Sequence, residues 1–244
     1  MTDRSASPTD VPHVWGSAPD FVGPRHALRE RLLLRLLLSA QPGPRILDAG
    51  AGQGTFSQRL AERGFEVTSA DASGAALAVL RERAPGTVVE AEVTALPFPD
   101  ASFDAVVLAE VLEHVEDDSA ALREAARVLK PTGAVAVSVP RNPAWFGPSD
   151  RWAGHVRRYT RSALLRACEA GGLRVERCLA WGFPFSALYH RHVYGRLLDR
   201  HGPTAPKRWQ RPAVAFLATL LQVDRLFVGI ERGALGYLLL ARRA

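Results

Sequence analysis

Arg45-Ile46-Leu47-Asp48-Ala49-Gly50-Ala51-Gly52-Gln53-Gly54 is the stretch that decides the fold. Apolar residues run into an acid, as at the end of a buried strand. Three alternating glycines follow, and a helical pattern begins after them. Glycine lets the backbone turn tightly and lets a ligand lie against it with no Cβ in the way. A loop between a strand and a helix N-terminus is a seat for nucleotide cofactors in α/β folds. The dinucleotide fingerprint spaces its glycines G-x-G-x-x-G, whereas the spacing here is G-x-G-x-G directly after an acid.

Outward from this loop, strand and helix patterns alternate. Strands are predicted at 45–48, 65–70, 87–91, 103–109 and 133–139, and helices between them at 53–63, 73–84 and 117–130, with a leucine-rich helix from Arg25 to Ala40 ahead of the first strand. Such alternation argues for a parallel sheet covered on both faces. Gly64 and Gly133 stand where helix C-terminal glycines are expected. After Pro140 the pattern changes to a long loop at 141–159, a helix at 160–171, a strand at 173–180 and a largely helical stretch at 184–231 with a proline-rich break at 202–212. The apolar run Ala234 to Ala241 suits a final strand. Residues 1–24 read as a loose arm rich in Pro, Ser, Asp and Thr, with Trp15 and Phe21 as docking residues. Residues 25–244 read as one domain, in which 184–231 is a helical cap inserted before the last strand.

The 244 residues are enough for one sizeable α/β domain, and 47% hydrophobic with 23% charged content is ordinary for a soluble globular protein. The net charge is +6 and only Lys130 and Lys207 are lysines, so arginine supplies the excess. The charge is spread along the chain, which disfavours a nucleic-acid surface. Cys168 and Cys178 have no metal or disulfide spacing and suggest a reducing, cytoplasmic setting. Leu32–Leu38 is too short to span a membrane, and Arg211–Ile230 is interrupted by Gln222, Asp224 and Arg225. His190, His192 and His201 lie close together, but no acid accompanies them at metal spacing, so no metal site is expected.

Residues 46–54, ILDAGAGQG, resemble the first motif of class I S-adenosylmethionine (SAM) dependent methyltransferases. The likeness extends to three further segments. Phe65 to Asp71 is a second strand ending in an acid. Ala91 to Asp104 is similar to the family's D-A-x-x-L-P-F-x-D-x-S-F-D stretch, with Glu92 where the family has Asp. Leu108 to Val115 resembles the V-L-E-H signature of the small-molecule branch that includes quinone-pathway methyltransferases. The resemblance implies a Rossmann-like, doubly wound sheet of seven strands in the order 3-2-1-4-5-7-6 with the last strand antiparallel. It implies that SAM lies against Asp48, Gly50, Gly52 and Gly54. Glu92 and Val93 are then expected at the adenine, and Ala109 and Glu110 at the methionine part. Asp71 is the expected ribose anchor, since a carboxylate can accept from two hydroxyls; the alternative is a helix N-cap for 73–84, a role open to Ser73 as well. Leu96-Pro97-Phe98 is expected to form pocket wall.

His114 is a candidate general base, its ordinary pKa of about 6.5 suiting proton removal near neutrality; the alternative is that it shapes the loop. Trp152-Ala153-Gly154-His155-Val156-Arg157-Arg158-Tyr159 follows the fifth strand, where open sheets build ligand crevices. If extended, it puts His155, Arg157 and Tyr159 on one side. His155 is the second catalytic candidate, and Trp152, Arg157 and Tyr159 are candidate substrate contacts. The rival reading pairs the arginines with acids that hold this segment in place. The aromatic-rich cap suggests an apolar or ring-bearing acceptor. The expected function is methyl transfer from SAM to oxygen, nitrogen or activated carbon of a small molecule. The rivals are a nicotinamide oxidoreductase, disfavoured by the glycine spacing, a SAM-binding partner protein without turnover, and an RNA methyltransferase.

Overall fold

The computed structural model describes residues 24–83, 85–194 and 211–244. Trp15, Phe21, His201, Trp209 and most of the proline-rich break lie outside the described residues, as does all of the 1–24 arm except Pro24. Pro24 opens helix α1, Pro24–Leu38, where its fixed φ and missing N–H cost nothing.

Strands β1 (Arg45–Ala49), β2 (Glu66–Asp71), β3 (Thr87–Glu90), β4 (Phe103–Ala109), β5 (Leu129–Pro140), β6 (Leu173–Trp181) and β7 (Gly236–Arg243) form one sheet in the order β3-β2-β1-β4-β5-β7-β6. The first five are parallel, and β7 runs antiparallel between β5 and β6. Helices α2 (Thr55–Ala61), α3 (Gly74–Arg83), α4 (Asp118–Val128), α5 (Pro148–Trp152) and α6 (Arg161–Ala170) lie in the connections. The central strands are buried on both faces, and two apolar clusters lie one on each side of the sheet. One contains Leu47, Val106, Val135 and Leu239 with Leu122 of α4. The other contains Ile46, Val107 and Leu240 with Leu33 and Leu37 of α1. This two-sided burial is why these strands read as continuous apolar runs.

The chain order reverses between β1 and β4, which are neighbours in the sheet. Open α/β sheets bind ligands in the crevice beyond the C-terminal ends of strands at such a switch point. The glycine loop follows the C-terminal end of β1, and Glu110 follows that of β4.

Three expectations are corrected. Gly133 lies inside β5 and ends no helix: α4 stops at Val128, and a Cβ on Gly133 would sit 2.6 Å from Leu129 Cδ1 and 2.8 Å from the Asp104 carbonyl oxygen. It is a close-approach glycine. The predicted helix 53–63 is shorter, because Gly54 adopts φ +79° and belongs to the loop. The predicted loop 141–159 contains a 3-10 turn at Pro143–Trp145 and helix α5, and a bridge joins Arg141 to Tyr159. The cap region is helical at Phe185–Tyr189 and Arg211–Leu221, with a π turn at His190–Tyr194 and a 3-10 turn at Gln222–Phe227. No described helix is long and apolar enough to cross a membrane.

Candidate active site

Gly50, Gly52 and Gly54 all have left-handed backbones, with φ of +74°, +55° and +79°. At Gly50 a Cβ would meet Val111 Cγ2 at 2.6 Å, so the side chain is excluded by space as well as by φ. Gly50 N–H and Ala51 N–H donate to the Ala70 carbonyl at 2.8 and 2.9 Å. Gly52 N–H donates to Asp71 Oδ2 at 2.8 Å, and Ser73 N–H to Asp71 Oδ1 at 2.8 Å. Asp71 therefore fixes the loop to the end of β2. Each of its oxygens retains acceptor capacity. Ser73 Oγ accepts from Ala76 N–H at 3.3 Å, at the start of α3.

Asp48 is turned inward. It is 1% exposed, and its Oδ2 accepts from Ser57 Oγ at 2.6 Å, with Ser69 Oγ donating onward to Ser57 at 2.8 Å. Burial pushes its carboxyl up to about 7, against the Ser57 hydrogen bond that lowers it. Its side chain braces the loop from beneath.

Beyond β3, Val93 is buried and Glu92 exposed. Leu96 is buried. Its N–H donates to Glu124 Oε2 at 2.8 Å, and Arg127 of α4 donates to the Leu96 and Phe98 carbonyls at 2.9 and 2.8 Å. The Leu96-Pro97-Phe98 wall is thus pinned by α4. At the end of β4, half-buried Ala109 leads to Glu110, whose φ of +59° is unusual for a residue with a side chain. The Glu110 side chain lines a cavity of about 150 Å³.

That cavity is walled by α1 (Arg25, His26, Arg29), by the turn after β4 (Glu110, His114), by α5 and the loop behind it, and by His190 and Tyr194 of the cap. Arg25 lies over the Tyr194 ring, 4.7 Å from its centroid, and reaches His190 Nδ1. Arg29 pairs with Glu110 at 3.4 Å. Asp150 is the hub of the opposite wall. Only 1% exposed, it accepts from Arg158 Nε at 2.7 Å, from Gly147 N–H at 2.8 Å and from His155 Nδ1 at 2.9 Å. Burial raises its pKa, but the His155 and Arg158 hydrogen bonds outweigh that and hold it at about 2.

Glu113 is fully buried, and neither carboxylate oxygen has a hydrogen-bond partner. Burial, then the nearby Glu110 charge, raises its pKa well above the usual range. His114 lies edge-to-face on His155, with ring centroids 4.8 Å apart. Burial, then His155, lowers the His114 pKa to about 4, so its imidazole is neutral at pH 7. Glu113, His114 and His155 bring one ligand atom each within 4.8 Å of one another. Sequence spacing did not reveal this group, since His155 comes from a loop beyond β5.

The structure brings His114, His155, Trp152 and Glu110 together at the cavity, but not Arg157 or Tyr159. Tyr159 is 2% exposed, with its hydroxyl 2.7 Å from Asp118 Oδ2 and 3.1 Å from the Leu112 carbonyl. Arg157 donates to Asp118 Oδ2 at 3.1 Å and to the Glu116 carbonyl at 2.8 Å. Arg157 and Tyr159 share a side, both meeting Asp118 Oδ2, but that side is turned away from the cavity, and His155 does not share it. Arg158 lines the cavity instead. Sequence reasoning also missed Asp150 and the three α1 residues. A larger groove of about 540 Å³, lined by Arg31, Arg35, Arg59 and Arg63 among others, draws no residue from a strand end.

Residues 47–137 match the family described as "Methyltransferase domain". The chain is 37% identical over 140 residues to a demethylmenaquinone methyltransferase of Renibacterium salmoninarum, covering 57% of this chain and 59% of that protein. It is 42% identical over 113 residues to a ubiquinone biosynthesis O-methyltransferase of Alkalilimnicola ehrlichii, covering 43% of this chain and 46% of the relative. The chain thus spans about half the length of the curated relatives it matches. Among solved structures, a SAM-dependent methyltransferase from Mesorhizobium loti superposes with a TM-score of 0.59 at 24% identity, covering 88% of this chain and 98% of that one. At that identity the likeness concerns the fold alone.

Proposed function

We propose that this chain, which carries a class I SAM-dependent methyltransferase domain, transfers a methyl group from SAM to a small-molecule acceptor. The observation that carries the reading is the loop of three left-handed glycines, tied through Gly52 N–H to Asp71 at the switch point of the sheet. The cradle suits the cofactor: a Cβ built on Gly52 meets no protein atom within 4 Å, so the loop faces open space there, and Asp71 keeps acceptor capacity for ribose hydroxyls. Val93 and the Leu96–Phe98 wall would face the adenine, with exposed Glu92 beside it. Ala109 and Glu110 would border the methionine part. Bound there, SAM supplies a methyl group already activated by its sulfonium.

The chain's own residues then have mainly to position the acceptor and exclude water, a contribution that can reach about 7–11 kcal/mol. The cavity beside Glu110 is the acceptor site in this reading. Trp152 and Tyr194 offer ring surface to an apolar or aromatic acceptor, and Arg158 offers donors. Proton removal from a hydroxyl or amine, worth roughly 10²–10⁴-fold, falls to the cluster of Glu113, His114 and His155. Arg157 and Tyr159 act indirectly, by fastening the loop to Asp118.

Calorimetric titration of the purified chain with SAM, S-adenosylhomocysteine and NAD tests the reading. Saturable binding of the first two and none of NAD is expected. Tight NAD binding without SAM binding would overturn it.

A further inference from the structure

We propose that Glu113, His114 and His155 form a divalent-cation site in the wall of the acceptor cavity, positioned to hold a hydroxyl oxygen of the acceptor. The proposal rests on the acceptor-cavity reading above and gives its proton-removing cluster a chemistry. Three observations carry it.

The first is the donor set. One carboxylate oxygen and two imidazole nitrogens lie within 4.8 Å of one another. Metal–ligand bonds of about 2.0–2.2 Å bridge donor atoms roughly 3–4 Å apart, so the widest separation closes with about an ångström of side-chain movement. His155 Nε2 and Glu113 Oε1, 3.9 Å apart, already fall inside that span. Three protein ligands beside an open cavity match a site that keeps positions for a substrate.

The second is Glu113 itself. Both of its oxygens are buried and neither has a hydrogen-bond partner. A buried carboxylate without a partner is strongly disfavoured unless a cation or proton satisfies it. Glu110 Oε1, on the cavity side, is also buried and unpartnered. It offers a fourth oxygen.

The third is the support behind the ligands. Asp150 Oδ1 takes the Nδ1 side of His155 at 2.9 Å, which turns Nε2 toward Glu113. Asp150 is fixed in turn by Arg158 Nε at 2.7 Å. A carboxylate behind a histidine is the arrangement that orients metal-ligating imidazoles. Val156 N–H donates to the Glu113 carbonyl at 2.8 Å and ties the two ligand-bearing segments together. Of the arginines at the cavity, Arg158 is paired with Asp150 and Arg29 with Glu110.

A mixed imidazole and carboxylate set suits Zn²⁺, Mn²⁺ or Fe²⁺. The acceptor class that fits is a hydroxyl compound with a second oxygen donor nearby, methylated at oxygen. In the transfer the hydroxyl proton leaves to solvent, the acceptor oxygen forms the new bond to the methyl carbon, and the methyl–sulfur bond breaks with its electron pair going to sulfur. The products are the methyl ether, S-adenosylhomocysteine and a proton.

The test is metal binding, read apart from turnover. The full chain, stripped with EDTA, is titrated with Mn²⁺ followed by electron paramagnetic resonance and with Zn²⁺ by calorimetry. One saturable ion per chain is expected, weakened at least tenfold in both Glu113→Gln and His155→Gln. SAM titration of the same samples reports whether the variants are folded. Absence of saturable Mn²⁺ and Zn²⁺ binding to the unaltered chain would overturn the proposal, as would undiminished affinity in both variants. Metal binding of the expected pattern in a chain that does not bind SAM would instead overturn the proposed function and leave the site standing.

Discussion

The two halves of the site each bury a carboxylate, and they treat it oppositely. Asp48, under the glycine loop, has the hydroxyl and backbone of Ser57 but no cation to satisfy it, and burial raises its pKa to about 7. Asp150, beside the acceptor cavity, has Arg158, His155 and a backbone N–H, and its pKa falls to about 2. The glycine loop is built from one short run of chain, β1 through β2, and is held by backbone N–H groups that donate to the Ala70 carbonyl and the Asp71 carboxylate. The acceptor half gathers α1, the turn after β4, the loop around α5 and the cap, and holds part of them by charge. A site made of distant segments needs strong directional pairs to keep its register; a strand–loop–helix unit does not.

The largest effect should come from cutting the hub of the acceptor half. Asp150→Ala leaves Arg158 buried without its carboxylate, and loss of one partner of such a pair costs about 3–5 kcal/mol. Urea unfolding should show that loss, while the folded fraction keeps its SAM affinity. Equal damage to SAM binding would mean that the halves are not separable.

The second prediction sets the carboxylates against each other by pH. Folded Asp48 holds a proton that the unfolded chain releases near pH 4, so its stabilising contribution is present below that pH and is lost as pH rises toward 7. The ceiling is on the order of 4 kcal/mol. Asp150 has the opposite sign: its contribution is present above about pH 4 and is lost as pH falls toward 2. Thermal unfolding across pH 4–8 should therefore show a decline that Asp48→Asn flattens. An unchanged slope in that variant would show that Asp48 is not the titrating group.

Asp71→Ala should act on the other half alone. Removing a charged acceptor costs about 1.5–3 kcal/mol, which corresponds to roughly tenfold to a hundredfold in SAM affinity. Calorimetry that finds affinity unchanged removes Asp71 as the ribose anchor. The smallest effect belongs to Arg157→Ala, about 1 kcal/mol in unfolding free energy for a part-buried pair at the protein surface. KM for the acceptor should then change little, and a tenfold rise in KM would restore Arg157 as a substrate contact.

The conformation of the glycine loop could be read from the chain because its signals are local. Gly50, Gly52 and Gly54 mark left-handed positions, and Asp71 ends the strand Glu66–Asp71. Gly133 was misread because a close-approach glycine and a helix-ending glycine look alike without the Asp104 carbonyl that stands over it. In the acceptor half the residue types were visible, but their directions were not. Arg157 and Arg158 are neighbours with the same chemistry, and their acidic partners separate them: Arg158 meets Asp150 at the cavity while Arg157 meets Asp118.

By itself the sequence determined the class of fold, the strand boundaries to within a few residues and the place of the glycine loop. Hydrophobic period and glycine spacing report local burial and backbone conformation, and both are properties of short segments. Only the tertiary structure decided that Glu113, His114 and His155 lie within 4.8 Å of one another, with Asp150 behind His155. Those contacts join a turn after β4 to a loop beyond β5, and side-chain pairing across such a distance depends on how the elements pack and leaves no period in the chain.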